Sequence, residues 1–346
     1  MAFSRLWFTA CIMLCVVSLW PMSQVKEIQR DAIGVTTLHF YDVARQRPVW
    51  VELWYPAASV DNLDHSDDPM YVHPHEARGA PLAHLNKPCP LIVMSHGHQG
   101  SRRDRSWLAD LLVKDGYIVA SVEHFGGSGS TYNPLLNLRF WDRPKDITFA
   151  IDHLLQDPNW GDQIDLEKVG FIGYSLGGMT GLSLAGAVAK NAKELAIREC
   201  QERLKIDPKV LQQVDFHESE LDYSDRRIRS MVLICPALFA FPPESLRKIK
   251  VPIGLIATVG DEVLPHKEHA YFLIQNSGIK RLKVMRKEIS HHSFTNRLTE
   301  VGKQMVKAFH RESPCCPREK VHREAGAFIT EFFKETLLIY PEGLKN

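Results

Sequence analysis

A serine in a glycine-flanked pentapeptide is the clearest chemical signal in the sequence. Residues 173–177 read Gly-Tyr-Ser-Leu-Gly and follow a short apolar run, 169–172, that is typical of a buried strand. A stretch of small, helix-forming residues begins at Met179. Strand, Gly-x-Ser-x-Gly and helix is the context of a nucleophile elbow, whose sharp turn holds the serine in a strained conformation. The pattern predicts that Ser175 is a nucleophile; the alternative is a Gly/Ser turn without chemistry.

An acid candidate follows this serine in the chain. A serine hydroxyl is a weak nucleophile that needs a base, and the base needs an orienting carboxylate. In folds with this elbow, the carboxylate comes after the serine, at the carboxyl end of a later strand. Asp261 stands just after the apolar run 253–259, with Glu262 beside it. We predict that Asp261 is the orienting acid and Glu262 its competitor; a turn or helix-capping aspartate is the alternative.

Two adjacent histidines follow the next predicted strand, residues 282–289. The base comes last in this chain order, so His291 or His292 is expected to take the serine proton. Neighbouring side chains point in different directions, and only one of the two is expected to reach the hydroxyl. We predict His291 as the base and His292 as the alternative base.

Two backbone N–H groups are predicted to bind the oxyanion of an acyl-transfer intermediate. The first belongs to Leu176, which opens the helix after the serine. The second comes from the loop after the third strand, where residues 95–98 read Ser-His-Gly-His. Gly97 lets the backbone come close to the serine, and we predict that the N–H of His98 is the second donor.

Alternating strands and helices are predicted to position these residues. Such alternation is typical of a mostly parallel sheet with helices on both faces, and the first two strands alternate in polarity as an antiparallel hairpin does. The predicted strands are residues 36–42, 48–56, 90–97, 117–123, 169–172, 228–236, 251–259 and 282–289, and the predicted helices are residues 102–115, 143–155, 266–276, 300–309 and 321–338.

Two segments interrupt this alternation. Residues 190–225 are strongly charged and helix-prone, and they follow the predicted helix after Ser175. We predict a helical lid over the site; a peripheral helical insertion is the alternative. Residues 57–88 are predicted to be a long solvated loop, whose His73 and His75 have no further ligand at metal-binding spacing.

Composition narrows the classes of partner. The chain has 346 residues, of which 45% are hydrophobic and 24% charged, and its formal net charge is +1. This balance is ordinary for a globular protein and does not indicate nucleic acid or another polyanion as a partner. No cysteine spacing resembles a zinc site, so we expect no metal. The sequence carries no signal of an oligomeric state.

The first 23 residues differ from the rest. Arg5 precedes an uncharged apolar run, residues 6–20, which is typical of a signal peptide. The run is shorter than the roughly 20 apolar residues of a membrane-spanning helix. No clear cleavage site follows, so the alternative for residues 1–23 is a retained signal anchor that associates with a membrane. In both cases we expect residues 24–346 to be one domain outside the cytoplasm, either secreted or periplasmic.

Cysteine usage fits an oxidising compartment. Of seven cysteines, two lie in the N-terminal segment and five follow it. An oxidising compartment allows one or two disulfides among the five. Cys235 lies in an apolar strand and is predicted to be a buried thiol. We predict that Cys200 pairs with Cys315 or Cys316.

Several motifs resemble those of one known group of proteins. Residues 95–97 resemble its oxyanion loop, residues 116–124 its next strand, and residues 143–147 a helix start in its bacterial members. Residues 173–177 resemble its elbow, and residues 291–294 are similar to its His-x-x-Phe, which also favours His291. The group is the set of α/β-hydrolases that includes predicted dienelactone hydrolases and plasma-type platelet-activating-factor acetylhydrolases. The resemblance runs from about Val35 to Phe333; true dienelactone hydrolases, however, have a cysteine nucleophile where this chain has Ser175.

The resemblance implies an α/β-hydrolase fold and a serine ester hydrolase that needs neither metal nor cofactor. The expected substrate is a small-molecule or lipid carboxylic ester with a short or medium acyl chain, cleaved through an acyl-enzyme. Within enzymes, the alternative is a phospholipase A2-type platelet-activating-factor acetylhydrolase, a lipase or an acyltransferase with the same triad. The alternative outside enzymes is a catalytically inactive hydrolase fold used for binding.

Overall fold

The computed structural model describes residues 32–59, 63–64, 68–305 and 313–339. The predicted signal segment, residues 1–23, and the end of the predicted helix 300–309 lie outside the described residues. In the described part of the chain, no helix has both the length and the apolar character to span a bilayer.

Strands and helices alternate through most of the described chain. The strands are β1 (Ile33–Asp42), β2 (Arg47–Pro56), β3 (Leu63–Asp64), β4 (Tyr71–Val72), β5 (Glu76–Arg78), β6 (Cys89–Ser95), β7 (Ile118–His124), β8 (Ile164–Tyr174), β9 (Ile228–Ile234), β10 (Ile253–Thr258), β11 (Arg281–Met285) and β12 (Arg297–Leu298). The helices are α1 (Ser106–Lys114), α2 (Pro134–Leu138), α3 (Asp142–Gln156), α4 (Leu176–Leu184), α5 (Ala192–Glu199), α6 (Pro243–Leu246), α7 (Phe272–Asn276), α8 (Glu300–Met305) and α9 (Arg318–Phe333).

The central sheet is mixed and mostly parallel. Its strand order is β11-β10-β9-β8-β6-β7-β2-β1-β5-β3. All neighbouring pairs from β7 to β11 are parallel, whereas β1, β2 and β7 pair antiparallel. The predicted sheet and the predicted N-terminal hairpin are confirmed. Since β6, β8, β10 and β11 run in one direction, the loops that follow them meet at one edge of the sheet.

The two faces of the sheet carry separate hydrophobic cores. Along β6, Leu91 and Val93 belong to a core that includes residues of α3 and α4, and Ile92 and Met94 to one that includes residues of α1 and α9. This alternation follows from the two-residue period of side chains along a strand. The predicted helices on both faces are therefore confirmed, and this double cover explains why the central strands read as continuous apolar runs.

Several element boundaries differ from the prediction. The predicted helix 102–115 begins only at Ser106, and the predicted strand 282–289 ends at Met285. The predicted solvated loop 57–88 contains three short strands, β3, β4 and β5. Tertiary contacts create them: β5 lies parallel to β1, and the indole N–H of Trp54 donates a 2.8 Å hydrogen bond to Glu76. No local periodicity reports a contact of this kind, which explains the error.

The predicted helical insertion, residues 190–225, is present. It contains α5 and two short 3₁₀ turns, Pro208–Gln213 and Phe216–Glu220. Its apolar residues pack together with leucines of α2. Glu218 accepts hydrogen bonds from Lys145 at 2.7 Å and from the indole N–H of Trp141 at 3.0 Å, which ties the insertion to α3. Its role as a lid over the site stays a prediction.

The predicted disulfide of Cys200 with Cys315 or Cys316 is wrong. All five cysteines of the described chain are free thiols. Cys200 packs within the insertion, whereas Cys316 packs in the core that contains α1 and α9, so the two belong to different hydrophobic clusters. Cys235 is 3% exposed, as the sequence predicts.

Candidate active site

Ser175 occupies a strained turn between β8 and α4. Its φ and ψ are 55° and −118°, outside the regions that residues with a Cβ ordinarily adopt. A side chain at Gly173 would collide with the carbonyl oxygen of Gly177, and one at Gly177 with that of Ser95. The Ser175 N–H donates to the carbonyl of Ile234 at 3.0 Å, which ties the turn to the end of β9. The predicted elbow is therefore built as its sequence requires.

The imidazole of His291 lies between Ser175 and Asp261. Its Nε2 is 3.0 Å from the Ser175 Oγ, and its Nδ1 is 2.8 Å from an Asp261 carboxylate oxygen. An ionised carboxylate only accepts hydrogen bonds, so Nδ1 carries the proton and Nε2 is left to accept one from the hydroxyl. The exposed fractions of Ser175, Asp261 and His291 are 8%, 8% and 2%. The three side chains thus form a hydrogen-bonded chain screened from bulk water, which has the arrangement of a proton relay.

Backbone amides hold the carboxylate of Asp261 in place. One oxygen accepts from the N–H groups of Val263 and Leu264 at 3.0 and 2.7 Å, and the other oxygen accepts from His291. Burial raises the pKa of Asp261, but the hydrogen bond from His291 and the electrostatic attraction of its ring outweigh it, so the pKa lies below its usual value. Asp261 therefore stays ionised beside the imidazole.

Glu262, the competing acid, contacts the same histidine at a different point. Its carboxylate accepts a 3.1 Å hydrogen bond from the backbone N–H of His291. It therefore holds the turn that carries the ring rather than the ring itself. The structure brings Asp261, not Glu262, to the imidazole nitrogen.

His291 and His292 open a short 3₁₀ turn, His291–Phe294, after β11. The Tyr174 hydroxyl donates to the His291 carbonyl at 3.0 Å, and their rings lie 5.1 Å apart. The ring of His292 stands at 89° to that of His291, at a centroid distance of 5.3 Å. Burial and the neighbouring His291 lower the pKa of His292 to about 4. The ring bonded to Ser175 is thus that of His291, and His292 lies beside it as a neutral neighbour.

Leu176 and the loop of residues 95–98, which carry the predicted oxyanion donors, both lie next to Ser175. Leu176 is the first residue of α4, so its N–H is one of those with no partner inside the helix. A Cβ at Gly97 would lie 3.1 Å from the Cβ of Ser175, so the loop runs close beside the serine. The Gly97 carbonyl lies 2.7 Å from Nδ1 of His96, and in a trans peptide the following N–H, that of His98, points the opposite way.

Buried polar side chains support this loop from below, and sequence reasoning missed them. Arg143 donates hydrogen bonds to the His96 carbonyl and to the Thr180 hydroxyl, the latter at 3.2 Å. His124 lies 2.9 Å from the Ser95 hydroxyl, and its backbone N–H donates to Nε2 of His96 at 3.1 Å. The loop of residues 95–98 is therefore fixed through the carbonyl and side-chain groups of its first two residues.

Asp146 is the centre of this network. Its carboxylate accepts from Arg47 at 2.8 and 2.9 Å, from Arg45 at 2.8 Å, and lies 3.0 Å from His124 Nδ1. Burial raises the pKa of Asp146, yet the arginine charge and these hydrogen bonds hold it well below its usual range. Burial, and then the charge of Arg143, lower the pKa of His124 to about 3. Asp146 is therefore ionised and His124 neutral at neutral pH.

A sequence signal for the network exists on α3. Arg143 and Asp146 fall in register with Ile147, Ala150 and Leu154, which line the buried face of that helix. Charged residues at positions where a helix expects apolar ones indicate a buried ion cluster, because an unpaired buried charge is strongly unfavourable. The helix predicted over residues 143–155 is present, but the buried ion cluster on its inner face was not predicted.

One group of metal-capable side chains in the described chain coincides with the relay. The ligand atoms of Cys235, Asp261 and His291 lie within 4.8 Å of one another. Burial, and then the charge of Asp261, raise the pKa of the Cys235 thiol well above its usual value. A neutral thiol is a poor metal ligand, and the histidine and aspartate are already bonded to each other. The donor set is therefore satisfied as a hydrogen-bonded cluster.

Comparison with solved structures identifies the type of fold. A ferulic acid esterase from Streptomyces cinnamoneus superposes with a TM-score of 0.59 at 20% sequence identity, over 91% of this chain and 93% of that chain. No family model and no curated protein matches, so the narrower resemblance to dienelactone hydrolases and platelet-activating-factor acetylhydrolases stays a prediction. At this identity the likeness concerns architecture alone, and it shows that the chain has the α/β-hydrolase fold.

Proposed function

We propose that this protein is a serine hydrolase that cleaves carboxylic esters through an acyl-enzyme. The observation that carries the proposal is the relay itself: 3.0 Å from Ser175 to His291 and 2.8 Å from His291 to Asp261. Both distances lie within the hydrogen-bond reach required of a nucleophile and its base. The strained serine and the helix that starts beside it support the same chemistry.

Acylation begins when Ser175 Oγ attacks the ester carbonyl carbon. His291 Nε2 accepts the hydroxyl proton, and Asp261 stabilises the imidazolium that forms. The carbonyl oxygen gains the negative charge and is bound by the N–H groups of Leu176 and His98. Loss of one such donor typically costs about 3 kcal/mol of transition-state stabilisation.

The end of acylation and the whole of deacylation use the same groups. The imidazolium of His291 gives its proton to the departing alkoxide, so the alcohol leaves and Ser175 remains acylated. Neutral His291 then takes a proton from water, which attacks the acyl carbon. The second tetrahedral intermediate collapses, and the hydroxyl of Ser175 regains its proton from His291.

Three exposed apolar side chains in the loops after β9 and β10 support the proposal of an apolar acyl chain. Phe239, Val259 and Val263 are 43%, 44% and 47% exposed, and they follow β9 and β10 in the loops that carry Cys235 and Asp261. Exposed apolar side chains beside a polar relay are suited to hold an acyl group. We therefore assign a short- or medium-chain ester as the substrate class, with lipid esters as its apolar extreme.

The proposed location is outside the cytoplasm. The support is the apolar run at residues 6–20 behind a single arginine, Arg5. In this proposal the domain acts as a secreted or periplasmic enzyme, with residues 1–23 either removed or retained as an anchor. Fractionation of cells that produce the full chain, with the N-terminal residue of the mature protein determined by mass spectrometry, tests it.

The decisive experiment compares the wild-type chain with Ser175→Ala. Both are incubated with a fluorophosphonate probe, p-nitrophenyl esters of increasing acyl length, methyl ferulate and an acetylated phospholipid. Labelling and turnover are expected in the wild type and lost in Ser175→Ala, whereas Ser224→Ala, at an exposed serine, retains both. Equal turnover by wild type and Ser175→Ala overturns the mechanism. A competing alcohol added to the assay separates hydrolysis from acyl transfer.

A further inference from the structure

Two thiols adjacent in sequence lie in the turn that leads into α9. The turn runs from Ser313 to Cys316 and is closed by a 2.9 Å hydrogen bond from the Cys316 N–H to the Ser313 carbonyl. The sulfur atoms of Cys315 and Cys316 are 3.9 Å apart, and the Cys315 sulfur is 3.1 Å from the Ser313 hydroxyl. Successive side chains on an extended backbone point to opposite faces, so the turn is what brings the two sulfurs together.

The two thiols differ in exposure and in acidity. Cys315 is exposed, and hydrogen bonds from Ser313 and then from Cys316 lower the pKa of its thiol. Cys316 is 4% exposed, and burial raises the pKa of its thiol. Since the thiolate is the reactive form, Cys315 has the properties of an attacking thiol. Cys316, held against it, has the position of a resolving thiol.

We propose that Cys315 and Cys316 form a thiol–disulfide exchange site that reacts with low-molecular-weight disulfides. The Cys315 thiolate attacks one sulfur of the small disulfide, so a mixed disulfide forms and one small thiol leaves. The Cys316 sulfur loses its proton to solvent and attacks the Cys315 sulfur, which releases the second small thiol. Two protein thiols are oxidised to one disulfide, and the small disulfide is reduced to two thiols.

The resulting bond is suited to be reversible. Consecutive Cα atoms are about 3.8 Å apart across a trans peptide, whereas disulfide-linked Cα atoms are usually about 4.4–6.8 Å apart. A disulfide between neighbours therefore stores strain, and Cys315 leaves it exposed to attack. Strained and exposed disulfides are the readily reduced ones. The pair is accordingly a redox site rather than a structural cross-link.

A short chain of contacts joins this site to the base of the relay. Arg318, two residues after Cys316, donates to the Thr295 hydroxyl at 2.8 Å, and His322 Nε2 is 2.9 Å from the Thr295 carbonyl. Thr295 follows directly on the turn His291–Phe294. Ring closure at the thiol pair changes the start of α9 and hence the support of that turn. This consequence for turnover rests on the proposed ester hydrolysis, whereas the exchange chemistry does not.

The first test follows the thiols themselves. Reduced full-length protein is incubated with graded ratios of oxidised to reduced glutathione, then alkylated and analysed by intact mass and peptide mapping. The expected result is a protein that carries two alkyl groups fewer than the fully reduced sample, with a disulfide in the peptide that contains Cys315 and Cys316, about 2 Da lighter than the same peptide with two free thiols. Cys315→Ser is expected to abolish it, Cys316→Ser to accumulate glutathione on Cys315, and the control Cys200→Ser to behave as wild type. Full alkylation of Cys315 and Cys316 at every ratio, or a disulfide to another cysteine, overturns the proposal.

The second test follows turnover of a p-nitrophenyl ester by the oxidised and reduced protein. Oxidation is expected to lower kcat between about twofold and a hundredfold, reversibly with a reducing dithiol, in wild type and not in Cys315→Ser. An unchanged kcat in fully oxidised protein overturns the link to the His291 turn. Absence of ester turnover in the reduced protein refutes the proposed function instead, because the mass measurement of the thiol pair needs no activity.

Discussion

On one side of Ser175, the loop at residues 95–98, which is proposed to bind the oxyanion, is hydrogen-bonded to buried side chains. Arg143 donates to a loop carbonyl, and Asp146 holds the cluster together from the buried face of α3. On the other side, Asp261 is bonded to His291 and His291 to Ser175, the proposed nucleophile. The Ser175 hydroxyl thus lies between a backbone loop that buried ions hold in place and a pair of side chains that are hydrogen-bonded to it.

Because of this difference, substitutions on the two sides of Ser175 are expected to affect stability and activity to different extents. The ions beneath the loop of residues 95–98 are buried, so removal of one of them leaves its partners with fewer opposite charges in the interior and destabilises the fold. The carboxylate of Asp261 is held mainly by backbone N–H groups of its own loop, and a neutral isostere keeps those contacts. Changes in the relay are therefore expected to abolish turnover with little loss of stability, and changes in the ion cluster to lower both.

The largest expected effect is that of His291→Ala. Loss of the base is expected to lower kcat/KM by about 10⁴–10⁶-fold, because a triad acts as a unit. His292→Ala is the matched control and is expected to change kcat/KM by less than about tenfold, since the ring hydrogen-bonded to both Ser175 and Asp261 is that of His291. Steady-state kinetics on a p-nitrophenyl ester measures both. If His292→Ala is the inactive one, the assignment of the base is wrong.

Next in size is the pair Asp261→Asn and Glu262→Gln. An amide at position 261 can donate to Nδ1 and so favours the wrong imidazole tautomer, which is expected to lower kcat by about 10⁴-fold. Glu262→Gln keeps an acceptor for the His291 N–H and is expected to cost about tenfold or less. Urea unfolding is expected to show stability near that of the wild type for both. Equal losses of kcat in the two variants would contradict the assignment of Asp261 as the acid.

On the other side of the serine, Asp146→Asn is expected to act on stability first. It removes the buried carboxylate that Arg45 and Arg47 share and leaves each arginine with one less buried acidic partner, so the free energy of unfolding is expected to fall by about 3 kcal/mol. The control is Asp152→Asn, which also removes an arginine partner, but from a carboxylate that is 46% exposed, and is expected to cost less than about 1 kcal/mol. Equilibrium urea unfolding measures both. Similar small losses would show that the buried cluster does not stabilise the fold.

The relay is more predictable from sequence than the cluster, for a physical reason. Ser175 can be identified from the local sequence, because the strand, the glycine-flanked serine and the helix are consecutive. Asp261 and His291 follow from chain order, since parallel strands bring the residues after them to one edge. The choice between Asp261 and Glu262 was open, because it depends on which carboxylate the N–H groups of Val263 and Leu264 bind.

The ion cluster and the sheet extension depend on contacts between distant segments. Arg47 and Asp146 are 99 residues apart in the chain, and β5 joins the sheet only because β1 offers it an edge. No pattern within a window of a dozen residues reports such pairs. The adjacent sulfurs of Cys315 and Cys316 were likewise hidden, because whether neighbouring side chains meet depends on the turn between them.

The smallest expected effect at neutral pH is that of two buried histidines, one from each side of Ser175, because their effect on stability develops only below about pH 6.5. Burial is the main cause that lowers the pKa of His124, on the oxyanion side, to about 3 and of His322, on the base side, to about 4. An unfolded histidine takes its proton near pH 6.5. Below that pH the unfolded state binds more protons, so stability falls as the pH falls, by about 1.4 kcal/mol per pH unit for each such histidine.

The two histidines are expected to act over different pH windows. His322→Asn is expected to flatten the fall in unfolding free energy between about pH 6.5 and 4, and His124→Asn to flatten it down to about pH 3. Burial raises the pKa of Glu76 and Asp104, which opposes the fall in unfolding free energy at low pH. Because this contribution is the same in every variant, the variants are compared by the slope of unfolding free energy against pH. Substitution of the exposed His84 by asparagine is the matched control. Urea unfolding at half-unit pH intervals measures the slopes, and a slope unaltered by either variant means that the histidine is already protonated in the folded protein.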